Sequence, residues 1–301
     1  MFDRLTLLED LVDCSGAVLA PRGVVISPEV IAEAAEHAPS LPRRKLAQTG
    51  IAADLDLPFE CAVYAALFGR RGAREEVGEV LRAVALPEPL VDELLAMRGE
   101  RPLVYRHAVL TAAVGVRVLL AAVGPGRTLD DLAAAALLHD LGMRQVPAHL
   151  LAHRERLSVE QVQRIAAHPL LGAYHLASVL GRHPAVDAAR SHHWRCGQGY
   201  PGLSGPPARA IEVIAVASAF CALTQPRPYR SAAYDARGAV DVLARETLAG
   251  QADANMVKLL VHALRGGAGD ASRLRFGTAR DGHGPPHDGH NPVEAPQRSH
   301  I

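Results

Sequence analysis

Across residues 101–265 apolar positions recur at helical spacing with short polar breaks, and no alternating strand pattern interrupts them. That periodicity predicts a helical bundle. Helices are expected near 103–123, 128–142, 169–181, 184–193, 208–224, 236–248 and 254–264. Thr128 with Asp131, and Ser158 with Gln161, read as capping boxes; Gly142 closes one helix and Pro169 restarts another. Residues 14–37 differ. Two short β-like runs, Gly16–Ala20 and Gly23–Ser27, flank the turn signal Pro21-Arg22-Gly23, which predicts a small hairpin. Ser27-Pro28 then reads as an N-cap followed by a first-turn proline. Further helices are expected near 57–71, 74–85 and 88–98, with Pro87 and Pro89 as punctuation. The expected fold class is all-α: a helical bundle preceded by a small, mainly helical N-terminal domain with a short β-hairpin.

The expected divisions are 1–100, 101–265 and 266–301. Residues 1–100 show no site-like cluster and read as a regulatory or docking domain. From 266 the composition shifts to Gly, Pro, Asp, Arg and His. Such a segment buries too little apolar surface to offset its ordering entropy, so a disordered tail is expected. Its histidines, His283, His287, His290 and His300, read as part of a solvated low-complexity stretch.

Composition narrows the function classes. The 301 residues are 49% apolar and only 4% aromatic, which favours closely packed alanine- and leucine-rich helices. Formal net charge is zero, which argues against bulk electrostatic capture of DNA or of a membrane surface. The short run Pro42-Arg43-Arg44-Lys45 reads as a solvated face. The longest apolar run, around Leu132–Leu138, falls short of a membrane span. Cys14, Cys61, Cys196 and Cys221 form no CxxC pair, and the N-terminus has no signal-like apolar core. Reduced thiols and a cytoplasmic location are the expectation.

The candidate chemistry lies in histidines. His107 sits on one predicted helix, and His139 and Asp140 are adjacent at the end of the next. His168 falls at a helix break, and His192-His193 precede a Gly/Pro loop, Gly197–Pro201. Facing helices of a bundle can converge such side chains on a metal. Mixed imidazole and carboxylate donors suit iron, manganese or zinc better than magnesium or calcium. His37, His149, His153, His175, His183 and His262 read as ordinary core or surface histidines.

Several ordered strings carry a resemblance. His139-Asp140-Leu141-Gly142 with Val146-Pro147, then His192-His193 with Gly197-Gln198-Gly199-Tyr200-Pro201, then Ala215-Val216-Ala217 and Ala222-Leu223-Thr224 ending in Arg227-Pro228-Tyr229-Arg230, together resemble the HD-GYP family over about 101–265. The resemblance implies an HD-type bundle holding two or three metals, usually iron or manganese. It implies hydrolysis of the cyclic-di-GMP phosphodiester by a metal-activated hydroxide. By position, His107, His139, Asp140, His168, His192 and His193 match metal ligands, with Asp140 as the catalytic carboxylate. Arg227 and Arg230 match phosphate-holding residues, and Tyr200 lies in the loop beside the substrate. The Gly199-Tyr200-Pro201 loop is the expected contact for a GGDEF-type partner.

The chain also departs from the family's pattern. Ser218 and Cys221 stand where that pattern has aspartates, and Met143 stands where it has a lysine, with Arg144 next to it. The segment after His192-His193 is one residue shorter and lacks both acidic residues, and Leu103 replaces a glutamate four before His107. Three readings follow. One is a metal-dependent phosphodiesterase; the second is a catalytically degenerate domain that senses a nucleotide or docks a protein; the third is a phosphohydrolase of another specificity, since HD-type sites serve several nucleotide reactions.

Overall fold

The computed structural model describes residues 3–124, 126, 128–152, 155–227, 230, 232–267 and 270–274. Most of the expected disordered tail, with its four histidines, lies outside the described residues, as do Pro228 and Tyr229.

The described residues are mainly helical. The helices are α1 (Pro28–Glu36), α2 (Leu57–Glu60), α3 (Ala65–Phe68), α4 (Ala73–Ala83), α5 (Glu88–Glu100), α6 (Pro102–Val123), α7 (Thr128–Leu138), α8 (Ala148–Leu151), α9 (Val159–Ala166), α10 (His168–Leu180), α11 (Pro184–Ser191), α12 (Arg209–Thr224), α13 (Ala236–Leu248) and α14 (Ala254–Leu264). The strands are β1 (Leu5–Thr6), β2 (Leu11–Val12), β3 (Val18–Ala20), β4 (Val25–Ile26), β5 (Arg43–Lys45) and β6 (Ala85–Pro87).

Helix α6 is the axis of the bundle, packed against α4, α5, α7, α12 and α14. Small residues let its neighbours approach: a Cβ added at Gly115 would lie 3.6 Å from the Ala136 Cβ on α7 and 3.8 Å from the Ala217 Cβ on α12. That explains how a core poor in aromatics reaches close packing. By length and composition the segment Pro102–Ala122 would suffice to cross a membrane, but most of its apolar window is buried inside the fold. Most buried apolar residues form one contiguous cluster from Leu7 through Leu46, Leu90, Leu94 and Met97 to Val109, Leu260 and Ala263, with a smaller one at Val146, Leu150, Leu157 and Ile165. The hydrophobic core therefore runs through the chain on both sides of residue 100.

Several local expectations shift. The two runs flanking Pro21-Arg22-Gly23 are strands, but they do not pair with each other: β3 pairs antiparallel with β2, and β4 with β1. The hairpin is β2–β3. The helix expected over 57–71 is interrupted at Cys61, whose backbone is extended (φ −79°, ψ 112°). Arg43–Lys45 is solvent-exposed as expected, and it is also a strand paired with Ala85–Pro87. Helix α7 stops at Leu138, and Leu141–Gln145 form a 3-10 turn. The Ser158 capping box is complete: its hydroxyl accepts from the Gln161 N–H at 3.2 Å and its own N–H donates to Gln161 Oε1 at 2.8 Å.

Candidate metal centre

Each of the six expected residues sits where the backbone changes direction or faces the bundle interior. His107 lies in the second turn of α6, and His139-Asp140 follow directly on α7. His168 opens α10, and His192 is the C-terminal cap of α11, followed by His193. Gly142 allows this arrangement. A Cβ there would collide with the His168 carbonyl and lie 2.6 Å from the Gly172 amide nitrogen. Only a glycine lets the turn after Asp140 lie against the start of α10.

The side chains converge on Asp140. Its Oδ1 lies 3.3 Å from His168 Nε2 and 3.2 Å from His192 Nε2. Its Oδ2 lies 3.6 Å from His139 Nε2 and 3.7 Å from His107 Nε2. Two donor groups of metal-binding spacing result: Asp140, His168, His192 and His193 on one side, and His107, His139 and Asp140 on the other. Five of these six side chains are buried, and His193 is half-buried.

Hydrogen bonds to the far ring nitrogens fix the tautomers. His139 Nδ1 donates to the Ala136 carbonyl at 2.8 Å, and His168 Nδ1 to the Ile165 carbonyl at 2.7 Å. His192 Nδ1 faces the carbonyls of Ala189 and Ala188 at 3.0 and 3.1 Å. A carbonyl can only accept, so these three Nδ1 atoms carry the hydrogen and the Nε2 lone pairs point inward. His139 Nε2 is fully buried with no hydrogen-bond partner. His168 and His192 bring their Nε2 atoms within 3.2 Å of each other, beside Asp140 Oδ1. Facing acceptors this close call for a cation between them, so the residues present fit a divalent transition metal.

His107 differs. Gln225, at the C-terminal end of α12, donates its amide Nε2 to His107 Nδ1 at 3.0 Å and to the Cys221 carbonyl at 2.9 Å. The second bond orients the amide, so Nδ1 of His107 is an acceptor and Nε2 carries the ring hydrogen. That Nε2–H lies 3.1 Å from the Ser218 hydroxyl. Nothing in the sequence marked Gln225 for this role.

Electrostatics keep the donors ready for a cation. Burial pushes the His139 pKa down to about 4, partly opposed by Asp140. Burial, and next the positive charge of Arg227, hold His107 well below its ordinary value. Burial, then the neighbouring imidazoles, do the same at His193. For Asp140 burial alone would raise the pKa, but His139, His168 and His192 around it outweigh that and keep it well below the usual carboxylate range. The imidazoles of His107, His139 and His193 are therefore neutral and the carboxylate charged at neutral pH.

The remaining expected residues are placed as follows. Arg227 acts electrostatically on His107, and its Nε is buried without a hydrogen-bond partner. Arg230 is engaged elsewhere: Nη1 donates to the Ala222 and Leu223 carbonyls at 3.1 and 2.9 Å, and the guanidinium lies over the Tyr234 ring. Tyr200 is buried and stacks on His193, ring centroids 4.4 Å apart at 21°. Gly199 packs so closely that a Cβ would meet the His193 carbonyl. Cys221 is buried with its thiol pushed up to about 12, first by burial, and Cys196 is exposed.

Arg144 faces away from the centre. Its Nε pairs with Glu93 Oε2 at 2.6 Å and its Nη1 with Glu100 at 3.2 Å. Glu93, on α5, is 1% exposed and also accepts the Cys14 N–H at 2.6 Å. Gln145 next to it donates to the Val12 carbonyl at 2.7 Å. The turn after Asp140 is thus bonded directly to α5 and to the β2–β3 hairpin. Neither Met143 nor Arg144 supplies a positive charge to the centre.

Comparison with known proteins agrees with this picture. A family model described as HD domain matches residues 89–256, more than half of the chain. A 3'3'-cGAMP-specific phosphodiesterase of Vibrio cholerae is 32% identical over 131 residues, covering 42% of this chain and 30% of that one. The cyclic di-GMP phosphodiesterase response regulator RpfG of Xanthomonas campestris is 38% identical over 104 residues, covering 33% and 27%. Cyclic di-GMP phosphodiesterase PA4108 of Pseudomonas aeruginosa is 27% identical over 168 residues, covering 52% and 39%. The matched region spans well under half the length of each of these relatives. Among solved structures, the HD domain of the L. monocytogenes phosphodiesterase PgpH in complex with cyclic-di-AMP aligns with a TM-score of 0.45 and 17% identity, over 62% of this chain and 99% of that one. With the family model covering most of the bundle, this chain belongs to the HD domain family, and its His-Asp and Gly-Tyr-Pro strings resemble the HD-GYP type.

Proposed function

We propose that this chain is a metal-dependent phosphohydrolase that cleaves a phosphodiester of a cyclic dinucleotide. The observation that carries the reading is Asp140, whose two oxygens each face a separate group of imidazoles. His168, His192 and His193 would hold one cation with Asp140, and His107 and His139 a second, with iron or manganese the metals proposed. Cations bound there supply the positive charge that lets a nucleophile approach an anionic phosphodiester.

The chain's own groups prepare the rest. Asp140 bridges the two positions and is the residue we assign to catalysis. Arg227 offers a buried Nε beside His107, suited to one phosphate oxygen. Arg230 would act by holding the end of α12, which positions Arg227. Tyr200 stacks on His193 and shields that imidazole from water. The names of the relatives support the substrate class, since they act on 3'3'-cGAMP and cyclic di-GMP. A GGDEF-type partner at this loop would meet exposed Gly197 and Gln198, because Tyr200 and Pro201 are buried. The free cysteines support a reducing, cytoplasmic setting.

A second reading, a nucleotide sensor without turnover, draws on Ser218, whose neutral hydroxyl faces the centre. Cyclic di-GMP and 3'3'-cGAMP turnover by the full chain, with added manganese or iron, separates the two. Hydrolysis that disappears in Asp140→Asn and His192→Ala supports the enzyme. Nucleotide binding with no hydrolysis at saturating metal refutes it and supports the sensor.

A further inference from the structure

We infer that the two cation positions around Asp140 are unequal: the His168–His192–His193 position fills first and tightly, and the His107–His139 position fills weakly, so that its occupancy limits the chemistry. The inference rests on the metal-centre reading above and concerns how that centre is loaded.

Three observations carry it. The first is donor number. One group has three imidazoles and a carboxylate oxygen, while the other has two imidazoles and the second oxygen of the same carboxylate. The second is proton placement. His168 and His192 present Nε2 lone pairs because their Nδ1 hydrogens are held by backbone carbonyls. His107 presents an Nε2–H, because Gln225 donates to its Nδ1. To ligate, His107 must move its hydrogen to Nδ1, where it would face the amide NH2 group. Turning that amide would in turn set Gln225 Oε1 against the Cys221 carbonyl, which now accepts from it. Giving up one such hydrogen bond and facing two like dipoles costs on the order of a tenfold loss in affinity or more. The third is charge. Asp140 is the sole carboxylate in either group among the described residues, and Arg227 acts on the His107 side. A second dication would meet a position whose negative charge is already shared, next to a fixed positive one. Ser218, at 3.1 Å from His107, brings no compensating charge.

The test is a titration of the metal-free full chain with Mn2+, followed by calorimetry and by electron paramagnetic resonance. The expected result is one tight equivalent with the spectrum of an isolated ion. A second equivalent should follow at least about tenfold weaker, with signs of spin coupling as it binds. His192→Ala should remove the tight equivalent, and His107→Ala should leave it while removing the weak one. Ser218→Asp should tighten the second equivalent, and Gln225→Glu should do the same by placing an acceptor against His107 Nδ1. These gain-of-binding variants keep the test decisive if an alanine variant unfolds. Two equivalents of equal affinity, or loss of the tight one in His107→Ala, overturn the inference while leaving the metal centre standing. No Mn2+ or Fe2+ binding by the wild-type chain overturns both.

Discussion

Changing Arg144 to Met isolates the junction that ties the Asp140 turn to α5. Arg144 has 11% and Glu93 1% of the side chain exposed, and their atoms are 2.6 Å apart. Removing the guanidinium leaves a buried carboxylate with only the Cys14 N–H as a strong partner. Breaking a buried pair from one side costs about 3–5 kcal/mol. The Arg144–Glu100 pair adds little, because Glu100 is half exposed. We expect Arg144→Met to lose about 3 kcal/mol at pH 7, a large share of the ~5–15 kcal/mol typical of a folded domain. The double change Glu93→Leu with Arg144→Met removes both charges and should recover most of that loss, less about 1 kcal/mol for the orphaned Cys14 N–H. The pH dependence has a definite sign. Burial raises the Glu93 pKa, and Arg144 is the largest influence opposing it. Without Arg144 the folded pKa rises further above the unfolded one, so folding takes up a proton as the pH falls. The single variant should therefore regain stability on moving from pH 7 toward 5, relative to wild type. Urea unfolding of the metal-free proteins at both pH values provides the measurement. A single variant within 0.5 kcal/mol of wild type, or a double variant as unstable as the single one, would refute the reasoning.

Two further outcomes are expected. Gly142→Ala drives a methyl group into the His168 carbonyl and the Gly172 amide, so it should separate Asp140 from His168 and cost about 1–3 kcal/mol; metal content per chain and the melting temperature report both effects, and an unchanged metal content refutes the role given to Gly142. His175 is buried with its pKa pushed down to about 4, chiefly by burial. The unfolded chain takes up that proton near pH 6.5 and the folded one only near 4, so as the pH falls through this window stability drains away, by up to about 3 kcal/mol. His175→Asn should flatten that slope relative to wild type in urea titrations from pH 7 to 4, and an identical slope in both proteins counts against the assignment.

The helices of the bundle were legible because their apolar periodicity is long and their ends carry chemical marks, as at Ser158 and Pro169. The N-terminal strands were harder. Val18–Ala20 and Val25–Ile26 were recognisable as β-like, but their partners Leu11–Val12 and Leu5–Thr6 are two-residue strands with no pattern of their own. Cys61 interrupts 57–71 although neither glycine nor proline occupies that position, so no local breaker marks the interruption. At the centre, the strings around His139 and His192 name side chains that the fold brings together, yet one-dimensional spacing could not tell which imidazoles face which oxygen of Asp140. The hydrogen bond from Gln225 to His107 was invisible because it joins residues 118 positions apart. Arg230, a basic residue in a recognised string, also donates to the carbonyls at the helix end beside it, a tie that the string does not reveal.

The apolar interior that continues through residue 100 has a practical consequence. Leu90, Val91, Leu94 and Met97 on α5 are fully covered, and α5 rests directly on α6. A fragment cut to begin at Pro102 would lay bare the flank of the very helix that carries His107. It would also strand Arg144 without Glu93, inside the turn that follows Asp140. Shortening this protein to its recognisable strings would discard the wall those strings are built against.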